Sequence, residues 1–221
     1  MRKPYHHGDL KNALIRAGAE LLAHEGVGSL TLRRVAARAG VSHSAPYAHF
    51  PDKEALVAAI STEGLRVVRE RIAGAVRKHA GDPRRQLQEA AWETVRFGLE
   101  QPDLYRVTFS NAMEQEHDHP DYMTMANGSF EALVDLVRGC QAAGVVAAGP
   151  PETVAVGLWS VTHGLVSLLT NRQIPHTILA RTPPRQLLQA ALASQLCGEP
   201  EPPARRARPR GRKTPRSDRS S

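Results

Sequence analysis

The sequence predicts an all-α fold: an N-terminal three-helix helix-turn-helix domain followed by a C-terminal helical bundle. Three observations predict it. Apolar residues recur at three- and four-residue intervals through most of the chain. Pro and Gly punctuate those stretches. No alternating apolar and polar run is long enough to build a sheet.

The first sharply defined element spans residues 31–40. Thr31 is an N-cap whose hydroxyl can accept an orphan N–H of the first turn. Leu32, Val35, Ala36 and Ala39 then share one face, with Arg33, Arg34 and Arg38 elsewhere. Gly40 ends the helix where a left-handed cap needs no Cβ, and Val41 anchors the turn. Ser42 is the next N-cap, predicted to open a helix of about two turns. Pro46 is tolerated because it sits near the first turn.

A long helix is predicted from Pro51-Asp52 toward His79, with Leu56, Ile60, Leu65, Val68, Ile72 and Val76 at helical spacing. Gly81-Asp82-Pro83 breaks it. The next runs from Pro83 to about Glu100, turning Leu87, Ala91, Val95 and Leu99 inward. Gln101-Pro102-Asp103 opens a short one carrying Leu104, Tyr105, Val107 and Phe109. A polar loop, Glu114–Pro120, precedes a helix near 121–143 with Met125, Phe130, Leu133, Val134 and Val137. Small residues between Gly144 and Pro151 separate it from helices near 152–170 and 184–196. There are no internal repeats.

The helix–turn–helix chemistry points to DNA. Such a unit lays the N-terminal residues of its second helix in the major groove. Here those residues are Ser42, His43, Ser44 and Ala45, small or polar enough for close backbone approach. In a helical hairpin without a DNA role, Val41 and Phe50 would be core residues all the same, and His43 and His49 ordinary surface histidines.

The run Thr31, Val35-Ala36, Ala39-Gly40-Val41-Ser42, Tyr47, His49-Phe50, Lys53-Glu54 and Leu56 resembles the DNA-binding domain of the tetracycline-repressor (TetR) family. Leu14, Ala17, Leu21, Leu22 and Gly26 resemble that family's first helix. The resemblance covers roughly residues 10–60. It implies phosphate contacts from Tyr47, His49 and Lys53, the last at a helix N-terminus. It places Thr31, Arg33 and Arg34 beside the groove and Ser42, His43, Ser44 and Ala45 at the base-reading positions. No Arg or Asn stands there for bidentate base contacts, so the operator sequence is not legible.

Charge follows the same division. The chain of 221 residues carries a formal +7. Residues 1–60 hold eight Lys and Arg against five Asp and Glu, residues 61–198 thirteen against fourteen, and residues 199–221 eight against three. Basic ends suit nucleic acid, and a near-neutral body suits a neutral or weakly charged partner. From Gly198 onward the chain is Pro, Arg, Ser and Lys without a large apolar residue, and is expected to be disordered. Its basic run, Arg205 to Lys213, is either a solubilising end or an added phosphate contact. The domains expected are therefore 1–56 for DNA binding, 57–197 for ligand binding and dimerisation, and 198–221 as the tail.

Trp159, His163 and Gly164 resemble the Trp-x-x-x-His-Gly signature of one C-terminal domain type in the same family. Four residues apart, Trp159 and His163 share a helix face. They read either as pocket wall and titratable handle or as a buried Trp beside a bonded core His. The ligand-binding residues expected are Phe109, Met113, Trp159 and His163. Trp92, Tyr105, Tyr122, Met125 and Phe130 are further candidates by residue type. Gly164 would let a helix or ligand approach closely.

Other chemistries are poorly served. Cys140 and Cys197 are too few for a disulfide framework or zinc site. His117, Asp118 and His119 bunch in one acidic loop without the spacing that orients ligands on a helix, so no metal or other cofactor is expected. No Gly-rich phosphate loop, nucleophile elbow or His-Glu-x-x-His helix is present, so no enzyme is expected. Residues 153–171 lack charge over a membrane-spanning length, but their Ser, Thr, His and Asn fit a buried bundle or dimer helix better. With no hydrophobic signal core at its start, the chain is expected in the cytoplasm.

The resemblance implies a ligand-released repressor. It implies a homodimer paired through residues near 152–170 and 184–196, carrying Val154, Leu158, Val161, Leu165, Leu168, Leu187, Leu188, Ala191 and Leu192. Two heads on a two-fold axis imply a palindromic double-stranded operator, and the long helix from Lys53 would link head to body. The alternatives are a largely nonspecific architectural DNA binder and a ligand-binding helical protein with a vestigial head.

Overall fold

The computed structural model describes residues 7–110 and 118–197. Met113, His117 and the basic tail from Gly198 lie outside them. Helices run α1 (His7–Glu25), α2 (Leu32–Ala39), α3 (Lys53–Lys78), α4 (Pro83–Glu100), α5 (Pro102–Thr108), α6 (Pro120–Ala142), α7 (Pro151–Thr170), α8 (His176–Leu179) and α9 (Pro184–Ala193). Among the described residues there is no sheet, only an isolated bridge between Val146 and Leu196.

The caps fall where side-chain chemistry places them. Thr31 Oγ1 accepts the Arg34 N–H at 3.2 Å. Gly40 takes φ 70°, and the Val41 N–H reaches back to Ala36 O at 3.0 Å, closing α2 with a six-to-one bond. Asp52 and Asp82 cap α3 and α4 through the N–H groups of Ala55 and Arg85. Prolines occupy the first positions of α4, α5, α6, α7 and α9, where the missing N–H costs nothing.

Three expectations are corrected. The second helix of the DNA-binding unit is a 3-10 turn over Ala45–Ala48 instead of two α-helical turns from Ser42. Pro46 has no N–H to return to Ser42 O, so Ala45 N–H takes that carbonyl instead, at 3.0 Å. Helix α9 stops at Ala193 rather than 196, because Leu196 bridges Val146 and the Cys197 N–H binds Val145 O at 2.8 Å. Leu99, expected inward, is exposed; its neighbour Gly98 faces α7, where a Cβ would overlap Val166.

Two cores result. The head core gathers Leu14, Leu22, Val35, Leu56 and Ile60 from α1, α2 and α3, with Leu30 and Phe50 from the connections between them. The body core gathers Val68, Phe97, Tyr105, Val137, Leu158, Val166, Leu188 and Leu192 from α3, α4, α5, α6, α7 and α9. Helix α3 enters both. So does α5, which sends Val107 into the head core and Tyr105 into the body core, while Leu104 packs against both. Helices α3 and α5 meet where Gly64 lies against Thr108; a Cβ at Gly64 would overlap the Thr108 hydroxyl.

Helix α7 is long and apolar enough to cross a membrane. It packs on α4, α6 and α9 through Ala155, Leu158, Thr162, Leu165 and Val166. Its other face shows Thr153, Val156, Ser160, Gly164, Ser167 and Leu168 to solvent. That corrects the expected pairing face. Leu158, Leu165, Leu188 and Leu192 are buried in the chain's own core, and Val154, Val161 and Leu187 pack against it. Of the nine residues expected to pair, only Leu168 and Ala191 are exposed. The outer face keeps Val156, Trp159 and Leu168 exposed among smaller residues.

Candidate functional site

The predicted DNA-contacting residues form a continuous run around the tight turns. Thr31, Arg33, Arg34, Ser42, His43, Ser44 and Tyr47 are exposed, with Ala45, His49 and Lys53 half-buried. The fold brings them together because Val41 and Phe50 pack onto the head core and pin both ends of the 3-10 turn. Ser42 and Ser44 hydroxyls lie 3.3 Å apart. Tyr47 is 57% exposed. Lys53 begins α3, beside the positive end of the helix dipole.

Two members differ from the rest. Arg34 is bound within the head: Nη2 reaches Glu25 Oε1 at 2.7 Å and Nη1 reaches Ser29 O at 2.9 Å. It ties α2 to the end of α1. Arg33 has no partner among the described residues. Nε2 of His49 is covered and unpartnered among the described residues. A desolvated ring nitrogen of that kind is incomplete without a further group.

In the body, a cavity of about 640 Å³ lies between α3, α4, α6 and α7. Phe109, Trp159 and His163 are on its wall, as are Tyr122 and Phe130. A shallower recess of about 520 Å³ shares Thr108, Phe109, Tyr122, Trp159 and His163 and adds Val156 and Ser160. The residues common to both form the partition between them.

His163 organises that partition. Its Nδ1 lies 2.7 Å from the Tyr105 hydroxyl. The Phe109 ring meets it edge-on at 4.4 Å and the Trp159 ring at 5.2 Å. Burial pushes the His163 pKa down to about 4 and the Tyr105 pKa up. The ring is therefore neutral near pH 7. Nδ1 and the phenol share one hydrogen bond, whose donor is set by the imidazole tautomer. His163 is a bonded residue on one side and cavity wall on the other, whereas Trp159 is 43% exposed and so is not the buried Trp of the core reading.

Residue type served less well elsewhere. Trp92 is not on the wall; its ring lies under the Arg185 guanidinium at 5.3 Å. Tyr105 stands behind His163. Gly164 faces open space, with nothing within 4 Å of a Cβ placed there, so no described helix approaches it. The wall also uses Arg69, Ile72, Val76, Leu87, Leu133 and Leu136, which sequence reasoning missed as lining. Their helical spacing marks a face turned inward and carries no sign of whether that face meets packing or space.

The family model described as bacterial regulatory proteins, tetR family, matches residues 14–60. A second, described as tetracyclin repressor-like, C-terminal domain, matches residues 87–195. Among solved structures, a protein of unknown function from Rhodococcus sp. RHA1 is 27% identical, with a TM-score of 0.67 covering 86% of this chain and 95% of that one. A regulatory protein in the tetR family from Rhodococcus RHA1 is 22% identical, with a TM-score of 0.69 over 86% and 98%. A TetR family transcription regulator from Marinobacter aquaeolei VT8 is 20% identical, with a TM-score of 0.66 over 85% and 95%. These last two are similar in fold. No curated protein matches the sequence.

Proposed function

The chain belongs to the tetR family of bacterial regulatory proteins, and from that premise we propose a homodimeric repressor that a small molecule in the body cavity releases from a palindromic operator. The protein is a DNA-binding transcription regulator. The proposal concerns how it binds and how it lets go.

On DNA, residues 1–56 act as the reading head, 57–197 as the sensing and pairing body, and 198–221 as a basic tail. Tyr47, His49, Lys53 and Arg33 take phosphates, with Thr31 beside them. Ser42, His43, Ser44 and Ala45 face the bases. Arg34 stands beside the groove and also holds α2 against α1 through Glu25 and Ser29, which take two of its five N–H donors. The exposed α7 face pairs two chains in the cytoplasm, and the two-fold axis sets the spacing of half-sites.

The observation that carries the release mechanism is the double attachment of α5. Phe109, the residue capping its C-terminus, is on the cavity wall, and Tyr105 holds His163. Val107 is in the head core, and Arg106 Nη1 donates to Ala23 O near the end of α1 at 2.7 Å. His24 and Asp103 stand 3.5 Å apart at the same junction. A ligand that displaces Phe109 or the Trp159–His163 pair shifts α5, and α1 with it. By linkage, a ligand favouring the shifted state weakens DNA binding by the same factor that DNA weakens the ligand. Cavity binding thus works through Phe109, Trp159 and His163.

Selection of bound fragments from random duplexes tests the DNA half. Recovery of a palindrome whose half-sites lie one helical turn, ~34–36 Å, or a multiple apart is expected. Recovery of unselected sequence would overturn it.

A further inference from the structure

We infer that the cavity takes an elongated amphiphile with an apolar body and an anionic head, the head pairing with Arg69. This rests on reading the cavity as the effector site.

The wall is chemically dry. Four of its hydroxyls are spent on their own helices: Thr94, Thr108, Ser129 and Thr162 donate to Ala90, Leu104, Met125 and Leu158 carbonyls. Gln86 donates to Val76 O at 2.9 Å. His163 Nδ1 is held by Tyr105. What these groups show a ligand is mostly methyl and methylene surface, beside Ile72, Leu87 and Leu133. A polar ligand body would lose its hydration without replacement bonds.

The cavity is also long. On α3 its wall runs from Leu65 to Val76, about 16 Å at the helical rise. An extended chain or a narrow ring system fits that span better than a compact sugar or amino acid.

Among the described residues, Arg69 is the charge on this wall without an ion-pair partner. It is exposed, so it marks where the cavity meets solvent. Among the described residues its Nη1 has only Met125 Sδ as partner, at 3.9 Å. It lies across Gly128, where a Cβ would come within 3.4 Å of Nη1. Its neighbours are occupied: Arg66 by Glu63 and Glu70, Arg71 by Glu100, each at 2.7 Å. Asp135, the acid on the same wall, lies ten residues along α6 from Met125, about 15 Å away, and is held by Arg138 at 2.8 Å. One end of the opening therefore offers a free guanidinium, and the other offers no free charge. A carboxylate accepts both arms of that guanidinium while its tail lies in the dry channel.

Calorimetric titration of the full-length protein with dodecanoate, dodecanol and dodecylamine, each below its micelle concentration, tests this. The tail is constant and only the head changes. Dodecanoate is expected to bind at least ~5-fold tighter than dodecanol, with dodecylamine weakest. Arg69→Leu should bring dodecanoate down to the dodecanol value and leave dodecanol unchanged. Arg69→Lys should keep part of the preference. Equal affinity for all three heads, or a carboxylate preference that survives Arg69→Leu, would overturn the anionic-head assignment and leave the cavity as a ligand site. Binding of none of the three would overturn the amphiphile. If none of a chemically diverse ligand set then bound either, the effector-site reading would fall with it.

Discussion

Tyr105 and Val107 stand two residues apart on α5 and are buried in different cores. Tyr105 belongs to the body, bonded to His163 at the cavity wall; Val107 belongs to the head, among the side chains of α1 and α3. A two-turn helix anchored at both ends cannot move at one without straining the other, because packed cores are not continuously deformable.

Arg106→Ala therefore separates sensing from binding. It removes the hydrogen bond to Ala23 O and leaves both cores in place. Operator affinity without ligand should change less than about 3-fold, whereas the ligand-induced loss of affinity should shrink by ~5-fold or more, a typical coupling of 1–3 kcal/mol being partly lost. Electrophoretic titration with and without ligand reads both numbers. Unchanged coupling would place the transmission in α3 alone.

Protonation of His163 should couple acid to unfolding. Its folded-state pKa is pushed down to about 4, below the unfolded value of about 6.5. The unfolded chain thus takes up the proton first. The stability associated with the neutral ring is complete above about pH 6.5 and is lost as pH falls toward 4, by ~3 kcal/mol at most. His163→Gln should flatten that limb of the denaturation midpoint against pH. A wild-type profile that is already flat between pH 7 and 4 would contradict the assignment.

The phosphate contacts carry a salt signature. Lys53→Ala should weaken binding to specific and random DNA alike and lower the slope of log affinity against log salt by about 1. Tyr47→Phe should cost about 1 kcal/mol and leave the slope unchanged, since the phenol bears no charge. Fluorescence anisotropy over a salt series distinguishes them. A loss confined to one DNA sequence would move Lys53 from phosphate to base.

Pairing and folding should separate on α7. Val156→Asp with Leu168→Asp should yield a folded monomer, because both side chains are exposed in the single chain. Leu158→Ala should leave the oligomeric state alone and cost roughly 2–5 kcal/mol, as a buried leucine. Sedimentation and thermal melting give the two readings; a dimer that survives both aspartates would put the interface elsewhere.

Much of this organisation was legible in the residues. The caps at Thr31 and Gly40 and the boundaries at Asp52 and Pro83 are local chemistry, decided within a few positions of one another. Pro46 was legible as tolerable but not as the cause of a 3-10 turn, which depends on which neighbouring N–H claims the Ser42 carbonyl. The α7 pairing face was misread because Leu158 and Leu165 look equally apolar whichever partner buries them. Only the packing of α4 and α9 shows that this chain does so itself. Arg34 sits where a phosphate contact belongs, yet its acceptor Glu25 is nine residues away across a turn. The Trp159–His163 face was legible from spacing; its hydrogen bond to Tyr105, 58 residues away, was not.

The most direct test compares affinity for a selected operator with affinity for random DNA of the same length at one physiological salt concentration. A specific regulator should favour the operator by ~10³-fold or more. A ratio near one would contradict that account and leave a basic protein that holds DNA without reading it.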